Sequence, residues 1–137
     1  MQLMRFLGFL GLCALAGCSS GGPTLTPVSG TITLGGEPLA NAIVRFIPEG
    51  ETKGHGGNGK SGADGKYEII ANRENNRKGL IPGEYRVAVS LLPAGAKPIE
   101  TGEKELVPEP YSNPRESPLR AIVETSAKPF DFAINKK

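Results

Sequence analysis

Short runs of alternating apolar and polar residues, separated by glycine and proline, constrain the fold of this chain more than any other feature. In VSGTITL, Val28 and Ile32 share one face, and in AIVRFIP, Val44 and Phe46 share a face while Arg45 lies on the other. A period of two residues is typical of β-strands that bury one face. No run has a helical period, and 19 glycines and 12 prolines lie between the apolar runs. The sequence therefore predicts an all-β fold.

The same pattern predicts seven strands if the glycine-rich segment GGNGKSG is counted as one. Pro48 marks the end of a strand or a sheet edge, and Asp64-Gly65 has the chemistry of a two-residue hairpin turn. Seven short strands with one apolar face each predict a seven-stranded Greek-key β-sandwich, with a small closed barrel as the alternative. The later strands are expected to face inward through Tyr67, Ile69, Ala71, Tyr85, Val87, Val89, Leu91, Phe130, Phe132 and Ile134, and outward through Arg86, Ala88 and Ser90.

Charged residues on the outward parity of these strands are expected to discourage edge-to-edge aggregation. They could also pair across strands, although exposed ion pairs contribute little to stability. They are Arg45, Glu68, Arg86, Glu124 and Asp131.

The N-terminus carries an export signal. Arg5 precedes the apolar run from Phe6 to Ala16, which is too short to span a bilayer, and the sequence LAGC follows. This pattern resembles the bacterial lipoprotein signal, which implies cleavage before Cys18 and attachment of diacylglycerol to its sulfur. The alternative is an ordinary secretory signal with a chance cysteine.

Lipidation of Cys18 would divide the chain into a cleaved signal peptide at 1–17, a lipid attachment and linker at 18–27, and a β-sandwich domain at 28–137. Cys13 would leave with the signal, so the exported domain would have neither a disulfide nor a free thiol. Anchoring through acyl chains implies contact with a membrane. The linker would hold the domain within about 30 Å of the lipid surface.

Three segments resemble the carboxypeptidase regulatory-like domains, which have a transthyretin-like or immunoglobulin-like fold: VSGTITLGGEPLANAIVRFIP, SGADGKYEI and GLIPGEYRVAVS. The tail VPEPYSNPRESPLRAIVE followed by FDFAI is similar to a version found in small bacterial surface lipoproteins. The resemblance covers about residues 28–134. It implies a non-catalytic accessory or scaffold domain, since these motifs serve the fold rather than an activity.

The search for catalytic or metal-binding residues favours a protein that is not an enzyme and binds no metal or cofactor. His55 is the only histidine and is expected in a solvated loop, because no cysteine or second histidine accompanies it. Asp64 lacks the further oxygen ligands of a calcium loop. Glu100, Glu103, Glu105 and Glu109 are expected to form a solvated acidic loop.

Charge and aromatic content limit the binding partners. The net charge is only +2 and is not clustered, so nucleic acid is not an expected partner. The chain has no tryptophan, which disfavours a sugar-stacking site. We therefore expect an exported, lipid-anchored domain in the cell envelope, at the outer membrane or cell surface, that serves as a structural or protein-interaction module. A weak glycan-binding or small-ligand-binding module is the alternative.

A proline-rich segment from residue 93 to residue 118 contains no predicted strand. Connections of this length are unusual inside a compact domain unless they are functional or lie wrapped on its surface. It is the best candidate for a partner contact, with Tyr111, Asn113 and Arg115 as its candidate residues. Tyr111 has a second interpretation, in which it packs the loop onto the sandwich. A shorter polar segment at 71–79, with three basic side chains, is a second candidate, and a solvated loop is its default interpretation.

Overall fold

The computed structural model describes residues 22–92 and 105–136, which form two mostly antiparallel β-sheets. The all-β prediction is confirmed. Cys18 and the first part of the proline-rich segment lie outside the described residues. The strands are β1 (Ser29–Leu34), β2 (Glu37–Pro38), β3 (Ile43–Pro48), β4 (Gly57–Lys60), β5 (Lys66–Glu68), β6 (Ile70–Ala71), β7 (Gly83–Ser90), β8 (Leu119–Val123) and β9 (Phe132–Ile134).

The smaller sheet is built around β1. Strands β2 and β5 pair with it antiparallel, and β9 pairs with it in parallel. Gly35 and Gly36 both have positive φ and make the tight turn from β1 to β2. The approach to β9 requires a glycine at position 30, because a Cβ there would lie 1.8 Å from the carbonyl oxygen of Phe130.

The larger sheet has the strand order β6-β4-β3-β7-β8, with every pair antiparallel. Strands β3 and β7 form its longest pairing, from Ile43 opposite Ser90 to Pro48 opposite Tyr85. Strand β3 ends at Pro48, as expected, although it occupies an internal position in the sheet.

The described residues contain nine strands rather than seven, because β2 is an additional short strand and one predicted strand divides between the sheets. Residues 66–71 pair first with β1 as β5 and then with β4 as β6. The change occurs at Ile69, whose backbone nitrogen donates to Val28 O over 2.8 Å. The crossing explains the glycines of β4, since a Cβ at Gly59 would lie 2.2 Å from Glu68 O.

The core lies between the two sheets and includes side chains from both. Phe46 is at its aromatic centre, with ring centroids 6.1 to 6.4 Å from those of Tyr67, Tyr85, Phe130 and Phe132. The apolar residues predicted to face inward are buried or partly buried, and all except Ala71 belong to this core or pack against it. Of the residues predicted to face outward, Ala88 differs from the expectation, because it is only 2% exposed. Its small side chain is nevertheless not part of the core cluster.

The turn at Asp64-Gly65 is wider than the predicted two-residue hairpin. The backbone nitrogen of Gly62 donates to Lys66 O, and that of Gly65 donates to Gly62 O, both over 2.9 Å. The Asp64 carboxylate accepts a 3.0 Å hydrogen bond from the Lys66 backbone nitrogen. Gly65 has a φ of 77°, so the turn requires a residue that tolerates the left-handed conformation.

The backbone pairing of the domain begins before residue 28. Thr26 is 4% exposed and forms an isolated β-bridge with Leu80, with N···O distances of 2.8 and 2.9 Å. Its side-chain hydroxyl donates to Glu124 O over 2.7 Å. The predicted linker therefore includes residues that pair with the domain.

Candidate functional site

The described part of the proline-rich segment, residues 105–118, is fixed along strand β7; we call it the proline-rich loop. The backbone nitrogen of Val89 donates to Tyr111 O over 3.0 Å. The buried hydroxyl of Ser117 donates to Val87 O over 2.5 Å. The loop thus satisfies backbone groups of β7 at the last residue of its pairing with β8, Val87, and beyond it, at Val89.

Glu105 holds the beginning of the proline-rich loop. Its Oε1 accepts hydrogen bonds from the backbone nitrogens of Leu91, over 2.5 Å, and Val107, over 3.1 Å. Val107 is 1% exposed and belongs to the core. The expectation of a solvated acidic loop is therefore wrong for Glu105, although Glu109 is exposed. Glu100 and Glu103 lie outside the described residues.

The three predicted contact residues occupy different environments in this loop. Tyr111 is half-buried and packs against the core. Asn113 Oδ1 accepts a 2.9 Å hydrogen bond from the backbone nitrogen of Arg115. The Asn113 carbonyl accepts from the backbone nitrogens of Glu116, over 3.2 Å, and Ser117, over 2.9 Å. The structure therefore brings Asn113 and Arg115 together in one turn, with the Tyr111 side chain packed beneath the loop.

The exposed surface of the proline-rich loop is both polar and apolar. Pro114, Arg115 and Glu116 are exposed at the turn. Leu106 is 52% exposed although the next residue is buried. A fixed turn that presents a guanidinium and a carboxylate, together with an exposed aliphatic side chain at the start of the same loop, can bind another protein without ordering a flexible loop first. The sequence indicated the loop from its length and prolines but contained no signal for Leu106.

A second candidate site is an open groove of about 730 Å³ at the smaller sheet. Its charged residues are Lys60, Lys66, Glu68 and Asp131. Tyr67 also lines it but is 4% exposed, and its hydroxyl donates to Phe130 O over 2.5 Å. The groove therefore offers polar contacts rather than an exposed aromatic face.

The groove contains one strongly perturbed titratable group. Burial, with a smaller contribution from the Asp131 carboxylate, raises the pKa of Tyr67 well above its ordinary value. Asp131 Oδ1 accepts a 2.9 Å hydrogen bond from the backbone nitrogen of Thr31. Tyr67 is thus a neutral hydrogen-bond donor at ordinary pH, and its hydroxyl already donates to the carbonyl oxygen of Phe130.

The outer face of the larger sheet carries an ion-pair network that sequence reasoning missed. Glu49 Oε1 lies 2.6 Å from Arg86 Nη2, and Glu49 Oε2 lies 3.0 Å from Arg120 Nε. Arg86 was expected to pair across strands, but its partner is the residue just after β3 rather than a strand residue. The two arginines are cross-strand neighbours, and the carboxylate between them offsets their repulsion.

The sequence predicts that His55, its only histidine, lies in a solvated loop. His55 is exposed, and its carbonyl accepts a hydrogen bond from Asn72 Nδ2 over 2.9 Å. Across residues 22–92 and 105–136, no three histidine, cysteine, aspartate or glutamate side chains are grouped closely enough to hold a metal ion. The same residues include no helix that is long and apolar enough to cross a bilayer.

Comparison with known proteins yields no match to a protein-family profile, to a curated protein or to a solved structure.

Proposed function

We propose that this chain is a lipid-anchored, non-catalytic domain of the cell envelope that contacts a protein partner through its proline-rich loop. The two sheets are proposed to form a Greek-key sandwich of the transthyretin-like kind. The hydroxyl of Tyr85, which donates to a carbonyl four residues upstream, supports this topology because such tyrosine corners are typical of Greek-key sandwiches.

The fixed conformation of the proline-rich loop is the observation that carries the proposal. Hydrogen bonds to Val87 and Val89 attach it to β7, and further bonds within the loop define its turn. Arg115 and Leu106 are exposed on it. Ordering a surface loop costs conformational entropy, and a loop already ordered in the free protein loses less on binding a partner.

The anchor is tested on protein isolated from the membrane fraction of the native cell. Mass spectrometry of the N-terminal peptide should find Cys18 as its first residue with a diacylglyceryl thioether. Cys18→Ser should leave the signal peptide attached. An N-terminal residue other than Cys18, or a free thiol on it, would contradict the anchor.

The partner contact is tested by photocrosslinking in cells. Tyr111 is half-buried, so the probe belongs at exposed Arg115, with a control probe at exposed Arg45 on β3. One dominant protein should be captured from position 115 alone. Capture should fall when Leu106→Asp is added to the probe variant. Equal capture from both positions, or none, would contradict a contact through this loop.

A second candidate function is the binding of a small polar ligand or glycan in the groove at the smaller sheet. Its volume and its mixed lysine and carboxylate lining support this candidate. Soluble cell-wall oligosaccharides should then shift the NMR signals of Thr31, Lys66 and Asp131. The shifts should weaken in Lys66→Gln and persist in Lys136→Gln, a matched exposed lysine outside the groove lining.

A further inference from the structure

The loop at residues 72–79, here called the basic loop, carries an excess of positive charge. Arg73, Arg77 and Lys78 are exposed on it, with Glu74 as the one carboxylate within the loop. Lys78 Nζ lies 2.9 Å from Glu68 Oε1, but the lysine side chain is 72% exposed. Such an exposed pair contributes little and leaves the ammonium accessible.

The basic loop is held in a defined shape. The backbone nitrogen of Arg77 donates to Glu74 O over 3.0 Å, and that of Ala71 donates to Arg77 O over 2.9 Å. Asn75 and Asn76 have φ angles of 53° and 57°, a conformation that asparagine tolerates better than most residues. The cations therefore project from a compact turn.

The basic loop also contacts the segment that leads to the proposed anchor. Arg77 Nη1 donates to Pro23 O over 3.0 Å. Five residue steps separate Pro23 from Cys18, so the chain can place them at most about 18 Å apart. An acylated Cys18 would keep the basic loop close to the bilayer surface.

The opposite end of the domain has a different charge. Strand β1 runs away from the paired residue Thr26 for six residues, about 20 Å. Its far end is followed by the Gly35-Gly36 turn, and exposed Glu37 and Asp64 lie nearby. Exposed Lys66 and Lys136 balance these carboxylates, so this end lacks the excess positive charge that would attract the basic loop to anionic lipid.

We propose, on the basis of the Cys18 anchor, that the basic loop docks on anionic phospholipid headgroups of the membrane that carries the anchor. Ile70 forms an isolated bridge with Lys78 and is 40% exposed, so an aliphatic side chain accompanies the cations. Docking through this end orients the domain. The proline-rich loop, which contacts the later half of β7, then points away from the bilayer.

The attraction expected from this geometry is electrostatic. Each cation near an anionic bilayer raises the equilibrium constant for the docked orientation by about fivefold. Raising the ionic strength from about 0.1 M to about 1 M shortens the Debye length from about 10 Å to about 3 Å. High salt should therefore release the basic loop from the bilayer.

The experiment uses the full lipidated chain in nanodiscs that contain a nitroxide-headgroup lipid, with amide line broadening measured by NMR. The test variant is Arg73→Gln/Lys78→Gln. The matched control is Lys66→Gln/Lys136→Gln, which removes the same charge. Lys136 lies at the far end of the domain, where its Cδ would be 2.9 Å from a Cβ added at Gly35.

With anionic lipid, broadening should concentrate on residues 72–79 rather than on residues 35–37 and 62–66. It should decrease severalfold at high salt and in the test variant, and remain in the control. Equal broadening of both ends, or the same pattern in purely zwitterionic discs, would overturn the docking and leave the anchor intact. An unacylated Cys18 in the isolated chain would overturn both.

Discussion

The hydroxyl of Tyr85 donates a 2.6 Å hydrogen bond to the carbonyl oxygen of Ile81, four residues earlier in the chain. Tyr85 is 1% exposed and contacts Phe46 through ring centroids 6.1 Å apart. The Tyr85 side chain therefore both constrains the turn that precedes β7 and packs in the core between the sheets.

Replacing Tyr85 by phenylalanine should separate these two contributions. Tyr85→Phe keeps the ring but leaves the Ile81 carbonyl without this donor, so the free energy of unfolding should fall by about 1 to 2 kcal/mol. Urea denaturation measures the change. Tyr111→Phe, on the half-buried loop tyrosine, is the control and should change stability by less than about 0.5 kcal/mol. If both variants lost the same free energy of unfolding, the hydrogen bond from Tyr85 to Ile81 would make no specific contribution to stability.

Stability should also fall at high pH because of the buried tyrosines. Burial raises the pKa of Tyr85 to about 12, from an ordinary value of about 10. The folded state therefore retains the proton more strongly than the unfolded state. This stabilisation is complete below pH of about 10 and is lost as the pH rises towards about 12.

Tyr67, whose pKa is also raised, should extend this loss to still higher pH. The measurement is the free energy of unfolding by urea at several pH values between about 9 and about 11. All other titratable groups are the same in wild type and variants, so the difference between curves isolates the tyrosines. The decline should be shallower in Tyr85→Phe and in Tyr67→Phe, and curves parallel to wild type would contradict the prediction.

The close approach of β1 to the backbone of Phe130, just before β9, should make Gly30 intolerant of any side chain. In Gly30→Ala, the new Cβ would meet Phe130 O at 1.8 Å, so one strand must move. We expect a loss of about 3 kcal/mol or more in the free energy of unfolding. Gly62→Ala is the matched control, since its nearest contact would be 3.4 Å. A thermal melt compares the two, and similar melting temperatures would rule out the close approach.

The network around Glu49 should be sensitive to salt. Glu49→Gln removes the carboxylate shared by Arg86 and Arg120 and should destabilise the fold by about 1 kcal/mol at low ionic strength. The loss relative to wild type should shrink in high salt, because salt screens the wild-type attraction. Glu116→Gln, at an exposed loop position, is the control. A salt-independent loss would point to packing rather than charge.

Ser117 should control the attachment of the proline-rich loop. Ser117→Ala removes the donor to Val87 O, and the side chain is in a residue only 1% exposed, so a loss of about 1 to 2 kcal/mol is expected. Amide exchange at Val89, whose nitrogen donates to Tyr111 O, should accelerate more than exchange in β1. Ser126→Ala, at an exposed position, should change neither. Uniform acceleration throughout the domain would indicate global destabilisation instead.

Much of the core could be predicted from the sequence, because the side of a strand on which a residue lies is a local property. Val44 and Phe46 flank Arg45, Val87 follows Arg86, and each of these three apolar residues is at most 1% exposed. The predicted loop beyond residue 93 likewise contains no strand over residues 105–118. Prolines and the lack of alternation were sufficient for that prediction.

Pairing between distant segments depended on tertiary structure. The alternation of Tyr67 and Ile69 is continuous, so nothing local indicates that the chain changes sheets between Glu68 and Ile70. The parallel pairing of β9 with β1 accompanies a close backbone approach between Gly30 and Phe130, and an isolated glycine does not identify its neighbour.

The ion pairs and hydrogen bonds of the candidate sites likewise depended on tertiary structure. The sequence predicted a solvated carboxylate at Glu105 and did not single out Glu49. Glu49 links two arginines and Glu105 holds the start of the proline-rich loop. By itself, the sequence determined the β-class and most inward faces, since these follow from a two-residue period. Only tertiary structure decided the strand neighbours and the partners of the charges, because both depend on residues far apart in the chain.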